Sequence, residues 1–335
     1  MQEVMGGEFP ILPAYLKPNK KENGGIRYAS GRGALYSILA QLNDKDKSIL
    51  LPDYLCDSVT RTVTDAGWKY EFYHIDKALQ ICLPREDTLH RFSAILLIHY
   101  FGMVDASLVV EAIRKSNPHM IIIEDDVQAF YAMERSAADY AFTGLRKWFP
   151  CPDGAMVKSK GQIPESICIH ASGRWSSYKL AGNVLKNFAP EIGDRVALEL
   201  LEKGEALLEE EYLSPCSEAG KTIFNHLDLD FIAQRRKENA SFLHKELEKL
   251  QVEHVFEADG VPLFVPIFVK DRDRLRSAFF AENVFTPKHW PWISEALNGH
   301  NVLYEEELSL ICDQRYGISH MSRQIDILKR FLDVG

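Results

Sequence analysis

The fold is decided by residues 119–153, which read HMIIIEDDVQAFYAMERSAADYAFTGLRKWFPCPD. An apolar run at residues 120–123 is typical of a buried parallel strand, and it ends directly in the carboxylates 124–126. A second strand-like piece, residues 140–143, runs into a turn that carries Lys147. Because ligands bind at the carboxyl ends of strands in open α/β sheets, this pattern predicts acids and a lysine placed for chemistry.

Asp125 and Lys147 are 22 residues apart, and each follows a predicted strand. An enzyme that uses pyridoxal phosphate (PLP) requires such a pair. A lysine amine attaches the cofactor, and a carboxylate keeps its pyridine nitrogen protonated. Each residue alone also fits a structural role, because Asp often caps helices or turns and Lys often extends over the surface. The prediction therefore depends on their order, their spacing and a third element upstream.

The upstream element is a predicted helix start at Ser30. Ser30 is a good N-cap, the glycines that follow allow close backbone approach, and residues 34–42 have helical apolar spacing. Free N–H groups at a helix start bind phosphate, and Arg32 adds a bidentate donor. The alternative interpretation is a capped helix without a ligand.

The composition is that of an ordinary globular protein. The chain has 335 residues, of which 46% are hydrophobic and 26% charged, so it has room for one large domain and a smaller one. Its net charge of −9 argues against nucleic acid as the main partner, because phosphate backbones require a basic face. A local basic pocket for one phosphate is compatible with this charge.

The sequence also predicts a cytoplasmic protein. Residues 1–10 contain no Lys or Arg and no long apolar core, so no secretory signal is expected, and the apolar runs are too short to span a membrane. The six cysteines show no CxxC and no His-pair spacing. We therefore expect reduced thiols, no disulfides and no metal site.

Strands and helices alternate through the first half of the chain, which predicts a parallel sheet with helices on both faces. A dinucleotide site is poorly supported, because the glycine pair near Ser30 lacks a third glycine and a following acid. The predicted strands are residues 48–52, 68–75, 92–99, 120–123, 140–143 and, in the reverse direction, 154–158. One predicted helix begins within residues 53–58 and ends near 66, and another spans 108–115.

The second half of the chain has longer helical patterns and predicts a smaller α+β domain. The predicted elements are helical stretches at 178–213, 231–250, 271–282 and 320–332, a strand at 261–269 and an extended piece at 284–291. The predicted division is an N-terminal arm at 1–24, a large domain at 25–210 and a small C-terminal domain at 211–335.

Three motifs resemble the DegT/StrS-type sugar aminotransferases, a family of PLP enzymes of fold type I. They are Ser30-Gly31-Arg32-Gly33-Ala34-Leu35, Glu124-Asp125-Asp126-Val127-Gln128-Ala129, and Arg146-Lys147-Trp148 with Asp153-Gly154. Weaker echoes follow at 99–105, 235–239 and 313–316, so the resemblance extends over about the whole chain.

The resemblance implies a role for each matched position. Lys147 would attach PLP, Asp125 would face the pyridine nitrogen, and Gln128 would lie near the ring oxygen. Lys147 and Asp125 would be the catalytic residues. Gly31 and Arg32 would bind the phosphate through backbone N–H groups. The implied cofactor-binding set is Ser30, Gly31, Arg32, Tyr54, Asp125, Gln128, Thr143, Lys147 and Asn183.

Several positions depart from the family pattern. The usual phosphate-binding Ser is replaced by Phe142, with Thr143 the nearest hydroxyl. The family's sugar-pocket segment has no clear counterpart, and Asn183 is a candidate for it. The turn after the second strand offers Tyr54 or Cys56 to cover the cofactor, and we expect Tyr54.

The resemblance implies transfer of an amino group from glutamate to a keto sugar on a nucleotide, by a homodimer. The apolar residues 9–16 of the arm support a dimer, because one compact domain offers few ways to bury them. Two alternatives stay open: an enzyme of the same fold acting on a small non-sugar substrate, and a binding or regulatory module without turnover.

Overall fold

The computed structural model describes residues 4–17, 25–42, 46–167, 173–291 and 301–334. The strands found there are β1 Met5–Gly6, β2 Ile26–Tyr28, β3 Ser48–Pro52, β4 Lys69–Ile75, β5 Ile81–Cys82, β6 Ala94–Ile98, β7 Ile121–Asp125, β8 Tyr140–Gly144, β9 Ala155–Ser159, β10 Phe264–Phe268, β11 Val284–Phe285 and β12 Glu307–Ile311. The α-helices are α1 Gly31–Gln41, α2 Asp57–Asp65, α3 Glu86–Leu89, α4 Ser107–Ser116, α5 Arg174–Leu185, α6 Ala189–Ile192, α7 Arg195–Glu210, α8 Glu218–Asn225, α9 Leu229–Leu250, α10 Arg272–Ala281, α11 Leu303–Glu306 and α12 Ile318–Val334.

One eight-stranded sheet organises the first half of the chain, in the order β2-β9-β8-β7-β6-β3-β4-β5. The strands from β4 through β3, β6 and β7 to β8 are parallel, β5 and β9 run antiparallel to them, and the edge strand β2 pairs antiparallel with β9. Strand β6 is buried along its whole length, because helices cover both faces of the sheet. The predicted α/β architecture with a mostly parallel sheet is confirmed.

The start of helix α1 follows the predicted local chemistry. The Ser30 hydroxyl accepts a hydrogen bond from the Gly33 N–H at 3.0 Å, as an N-cap does. Gly33 also permits a close approach, since a Cβ there would lie 2.4 Å from the Tyr212 carbonyl oxygen. The helix start is therefore held against a segment far away in the sequence.

The last third of the chain is built on a second, two-stranded sheet. Strands β10 and β12 pair antiparallel, and helices α9, α10 and α12 accompany them. Strand β12 was not predicted, although its five residues, ELSLI, alternate polar and apolar side chains over the first four positions, and all five are buried. The division at residue 210 stays a prediction.

The helical pattern at 178–213 is not one continuous helix. The chain leaves α6 at Gly193, where φ is +74°, and resumes as α7. A positive φ favours glycine and ends a helix, so α5 and α7 form separate helices packed on each other.

The N-terminal arm packs on its own chain, which corrects the sequence argument for a dimer. Strand β1 pairs with β11, and the side chains of Phe9 and Tyr15 are buried. The Arg315 guanidinium donates to the carbonyls of Gly6, Gly7 and Glu8 and lies over the Phe9 ring. Phe9 and Tyr15 therefore need no second subunit to be buried, whereas Leu16 stays exposed, so the arm supports a dimer less than its sequence suggested. This packing could not be predicted because β11 and Arg315 lie far from the arm in the sequence.

Five of the six cysteines lie in the described part of the chain, and each is a free thiol. Cys168 lies outside the described residues. Within those same residues, none of the helices combines the length and the apolar character that a membrane crossing requires.

We expect Arg315→Ala to lower the free energy of unfolding by about 3–5 kcal/mol, because it leaves the buried Asp313 carboxylate without its bidentate partner. Arg315 Nη2 lies 2.8 Å from Asp313 Oδ2. Urea denaturation measures the loss. The control is Arg195→Ala, because the Arg195 side chain is 88% exposed and pairs with Glu199; it should change stability by less than about 1 kcal/mol. Equal effects of the two substitutions would contradict this account.

Candidate active site

The candidate site lies where β7 and β8 end. Asp125, the last residue of β7, is paired in register with Phe142 of β8, and Lys147 follows β8 by three residues. Parallel strands end at the same edge of a sheet, so the acid and the lysine turn are neighbours.

The Lys147 turn is held by hydrogen bonds from three directions. The Leu145 N–H donates to the Gly154 carbonyl at 2.9 Å. The Trp148 indole N–H donates to the Val127 carbonyl at 3.0 Å, and the Trp148 carbonyl accepts from Gln314 Nε2 at 2.8 Å. The turn is thereby fixed both to the loop after Asp125 and to the last third of the chain.

Asp125 is buried, with only 7% of the residue exposed. Burial raises the pKa of its carboxyl to about 6, although the Val127 N–H, which donates to Oδ1 at 2.9 Å, and the charge of Lys147 both lower it. A carboxyl with this pKa is poised near neutrality, and a cation placed against it would keep it ionised.

Part of the Lys147 side chain is exposed to solvent, yet its ammonium group is surrounded by protein on most sides. This burial lowers the pKa of its ammonium and Arg146 adds to the effect, whereas Cys56 and Asp125 oppose it. The ammonium nitrogen lies 5.9 Å from the centre of the Trp290 ring. A lysine with a lowered pKa exposes a free amine more readily, as a nucleophile or proton carrier requires.

The other two carboxylates of the block pair with His99. His99 Nδ1 lies 2.8 Å from Asp126 Oδ1, and its Nε2 lies 3.8 Å from Glu124 Oε1. All three residues are buried. Burial lowers the pKa of His99, but Asp126 and Glu124 outweigh it and the pKa is raised. Asp126 is thus engaged by a histidine, which favours Asp125 as the acid available to a ligand.

The start of α1 approaches this edge of the sheet closely. A Cβ on Gly31 would lie 3.1 Å from the Val127 side chain, and a Cβ on Gly144 would lie 4.0 Å from the Gly31 nitrogen. The N–H groups of Gly31 and Arg32 belong to the first helical turn, which offers them no intrahelical acceptor. They form a small cradle suited to a phosphate.

Two expected phosphate donors have other partners. The Arg32 guanidinium bonds to Glu209 and lies over the Tyr212 ring, so the structure does not support its use as a bidentate phosphate donor. The Thr143 hydroxyl donates to the Asp126 carbonyl at 2.8 Å and is fully buried. For Arg32 the backbone role stays a prediction.

Gln128 offers a free donor inside the protein. Its Oε1 accepts from the Phe101 N–H at 3.0 Å, which orients the amide. Its Nε2 is buried and has no hydrogen-bond partner among the described residues. An unpartnered buried donor is costly unless a ligand uses it, so the site is compatible with a bound ring oxygen.

Tyr54 lies in the interior rather than over the lysine. The residue is fully buried, its hydroxyl donates to the His289 carbonyl, and its ring centre lies 5.0 Å from that of Trp290. The side chains that interact with Lys147 are instead Cys56, which raises the pKa of its ammonium, and Trp290, whose ring lies near the ammonium nitrogen. Trp290 was not predicted, because the pattern around it carries no signal linking it to a lysine 143 residues earlier.

Asn183 lies in α5 against the segment that follows Lys147. Its side-chain Nδ2 lies 3.4 Å from the Pro150 carbonyl oxygen, and its backbone carbonyl accepts a hydrogen bond from the Ile11 N–H at 3.2 Å. No described contact joins it to Asp125 or Lys147.

A charged cluster behind the turn was also missed by the sequence analysis. Glu205 Oε2 bonds to the Arg146 guanidinium and lies 2.6 Å from Lys179 Nζ. Burial alone would raise the pKa of Glu205, but the two cations lower it to about 2. Helices α5 and α7 are in this way tied to the residue before Lys147.

The two weaker motifs of the last third come together under the turn. Arg236 is fully buried, its Nε donates to Gln314 Oε1 at 2.9 Å, and its Nη2 lies 3.5 Å from the Trp148 carbonyl oxygen. Asn239 Nδ2 donates to the carbonyls of Asp313 and Tyr316 at 3.2 and 3.0 Å. These motifs position the turn that carries Lys147.

No protein-family model and no curated protein matches this sequence. Solved structures do resemble it. A DegT DnrJ EryC1 StrS aminotransferase from Brucella abortus is 15% identical, with a TM-score of 0.59 over 91% of this chain and 85% of that one. PseC from Helicobacter pylori, an aminotransferase involved in pseudoaminic acid biosynthesis, is 13% identical, with a TM-score of 0.64 over 99% of this chain and 100% of that one.

A protein from Streptococcus pneumoniae, described as a sugar aminotransferase in its PMP form, is 11% identical, with a TM-score of 0.65 over 99% of each chain. At such identities the likeness establishes the fold. The predicted fold type I architecture is confirmed. The solved structures that resemble this chain include proteins described by the family name and by the sugar aminotransferase activity to which the three sequence motifs pointed.

We expect Asp125→Asn, in protein free of PLP, to be more stable than the parent at pH 8 by on the order of 3 kcal/mol. The folded state raises the pKa of this carboxyl from 3.8 to about 6, so ionising it opposes folding above that pH. The advantage of the amide should shrink as the pH falls below about 6 and vanish near about 4. Urea denaturation across this pH range measures it.

Asp126→Asn is the matched control, because it removes a carboxylate that pairs with His99 and should be destabilising near neutral pH. A stability gain at position 126 and a loss at 125 would reverse our assignment of the two acids.

Proposed function

We propose that the protein is a PLP-dependent aminotransferase that moves an amino group from glutamate to a keto sugar carried on a nucleotide. The observation that carries the proposal is the placement of buried Asp125 and of Lys147 at neighbouring strand ends, with the pKa of Asp125 raised and that of Lys147 lowered. Solved structures of this fold described as sugar aminotransferases support the reaction and the class of substrate.

The residues at the site fit PLP. Lys147 Nζ would attach it, the Asp125 carboxylate would meet the pyridine nitrogen, and the free Gln128 Nε2 would reach the ring oxygen. The first-turn N–H groups of Gly31 and Arg32 would hold the phosphate. When bound, PLP supplies an electron sink for the carbon next to the transferred amine.

The chain's own groups manage the protons. Lys147 Nζ, with its lowered pKa, can accept and return a proton as a general base and acid near neutral pH. Asp125, ionised against a cationic ring nitrogen in a partly dry site, would keep that nitrogen protonated. Such contacts contribute a factor of roughly a hundred or more to the rate.

The alternatives rest on the positions that depart from the family pattern. A small non-sugar substrate is favoured by the missing sugar-pocket segment, for which Asn183 offers only a buried Oδ1 without a hydrogen-bond partner among the described residues. A binding or regulatory module is favoured by the Arg32 and Thr143 side chains, which are used by partners within the protein.

We also propose that the protein works in the cytoplasm, where a reducing environment suits its free thiols. Its partners would be the two small-molecule substrates and a second copy of the chain, with neither nucleic acid nor a membrane involved.

Lys147→Ala should abolish the attachment of PLP that borohydride makes permanent, and it should lower any glutamate-dependent transamination by about a hundredfold to ten-thousandfold. The parent protein mixed with PLP should gain a visible absorption band that changes when glutamate is added. Peptide mapping of the reduced protein locates the attached cofactor. Lys158→Ala is the control, because this lysine pairs in register with Ala141 near the start of β8 and donates to the Glu134 carbonyl; the variant should keep full attachment.

Attachment at Lys158 or Lys179 would contradict the assignment of Lys147. A band that glutamate leaves unchanged, but that another amino donor alters, would point to a different substrate. A protein that PLP cannot colour would support the binding module.

We propose that the dimer interface is formed by a surface other than the arm. Five apolar side chains are exposed from the end of α5 to the first turn of α7, at 40–64% of their area, and exposed apolar groups in such number favour an interface. A two-fold contact between two copies of the chain would bury this surface, the 184–198 patch, against the same patch of the partner or against the partner's active site. The patch consists of Val184, Phe188, Ile192, Val196 and Leu198.

Sedimentation at micromolar concentration should find a dimer that the double substitution Phe188→Glu and Ile192→Glu converts to monomer. A charge placed inside a buried interface costs several kcal/mol of binding. Leu108→Glu is the control, since Leu108 is 78% exposed elsewhere and should leave the dimer intact. A fully active monomeric parent protein would rule the dimer out.

A further inference from the structure

Outside the candidate site, three potential metal ligands gather on the surface of the last third of the chain. Helix α9 places His244 and Glu248 one turn apart, and His254 follows the end of the helix. His244 Nδ1 lies 2.8 Å from His254 Nε2, which in turn lies 3.7 Å from Glu248 Oε1. One ligand atom from each residue lies within 4.8 Å of the other two.

The tautomer of His254 directs a lone pair into this cluster. Its Nδ1 lies 2.8 Å from the Val252 carbonyl oxygen, which can only accept, so Nδ1 carries the proton. In the neutral ring Nε2 then has its lone pair free, facing His244 and Glu248. Metal-binding histidines ordinarily donate their second N–H to a carbonyl or carboxylate in this way.

Both imidazoles are held in place by the fold. His254 forms an antiparallel bridge with Ile267 of β10, and its side chain is only 5% exposed. The His244 ring stacks on Phe256 with centroids 4.1 Å apart and planes 6° from parallel. Gln251, with a φ of +55°, ends α9 and turns the chain back toward the helix. The two rings are therefore arranged before any ion arrives.

We propose that His244, Glu248 and His254 form a binding site for a divalent transition-metal ion of the Zn²⁺ class. Two imidazoles and one carboxylate are a usual Zn²⁺ ligand set. Metal–ligand bonds of about 2.0 Å put tetrahedral ligand atoms about 3.3 Å apart, and the observed 2.8 and 3.7 Å lie on either side of that value. Glu248 is 64% exposed, so a fourth position is open to water.

The alternative role of the cluster is a hydrogen bond between two neutral histidines, with His244 Nδ1 as the donor. Metal binding needs only the other tautomer of His244, with the proton on Nε2, and Phe256 stacks on the ring face without blocking that edge. The bound ion would join the end of α9 to the residues beside β10 and so stabilise the last third. The site is independent of the proposed aminotransferase reaction.

The test uses the full-length chain without an affinity tag, freed of metal by a chelator, and adds Co²⁺ or Zn²⁺ alone. We expect one Co²⁺ per chain with visible absorption typical of four-coordinate cobalt, displacement of Co²⁺ by Zn²⁺, and a Tm that rises with Zn²⁺. Glu248→Gln and His254→Gln should each weaken binding by at least about tenfold. Because Glu248 is exposed, its variant should fold normally.

His226→Gln is the control, because His226 lies outside the cluster with its Nδ1 2.8 Å from the Thr222 carbonyl oxygen. It should bind Co²⁺ like the parent protein. The proposal is overturned if the parent chain shows neither the Co²⁺ absorption nor a Zn²⁺-dependent Tm, or if both persist in a His244→Gln and His254→Gln double variant.

Discussion

The parallel pairing of β7 with β8 is the constraint on which the candidate site depends. Its register sets Asp125 beside Phe142, so the acid and the turn that carries Lys147 reach the same edge of the sheet. A slip of one residue would turn Asp125 to the opposite face. The helices that cover the sheet exclude water there, and this burial moves the pKa of Asp125 upward and that of Lys147 downward.

Strand alternation also explains why three adjacent carboxylates have different roles. Successive side chains point to opposite faces, so Glu124 and Asp126 share one side and Asp125 has the other. His99, which follows the neighbouring strand β6, meets the first two. One histidine thereby holds two buried acids and leaves Asp125 next to the lysine turn.

The last third of the chain supports this edge from outside the large sheet. Gln314 and Arg236 both reach the carbonyl of Trp148, the residue after Lys147, although they are 166 and 88 residues away from it. Arg236 forms no ion pair with a carboxylate among the described residues, and its donors are satisfied instead by backbone carbonyls and the Gln314 amide. The same region carries the separate cluster of His244, Glu248 and His254.

The sequence by itself determined the features that depend on near neighbours. The apolar runs, the Ser30 cap and the order of acid block and lysine predicted the central strands of the large sheet, the start of α1 and the fold class, because periodicity and capping act within a few residues.

Only the tertiary structure decided which side chains meet across long separations. Arg32 pairs with Glu209, 177 residues away, and Tyr54 is enclosed by residues from the end of the chain. The arm returns to its own β11, and two histidines without a metal-binding spacing come within hydrogen-bonding distance. Such contacts are set by how whole elements pack, and no local pattern records them.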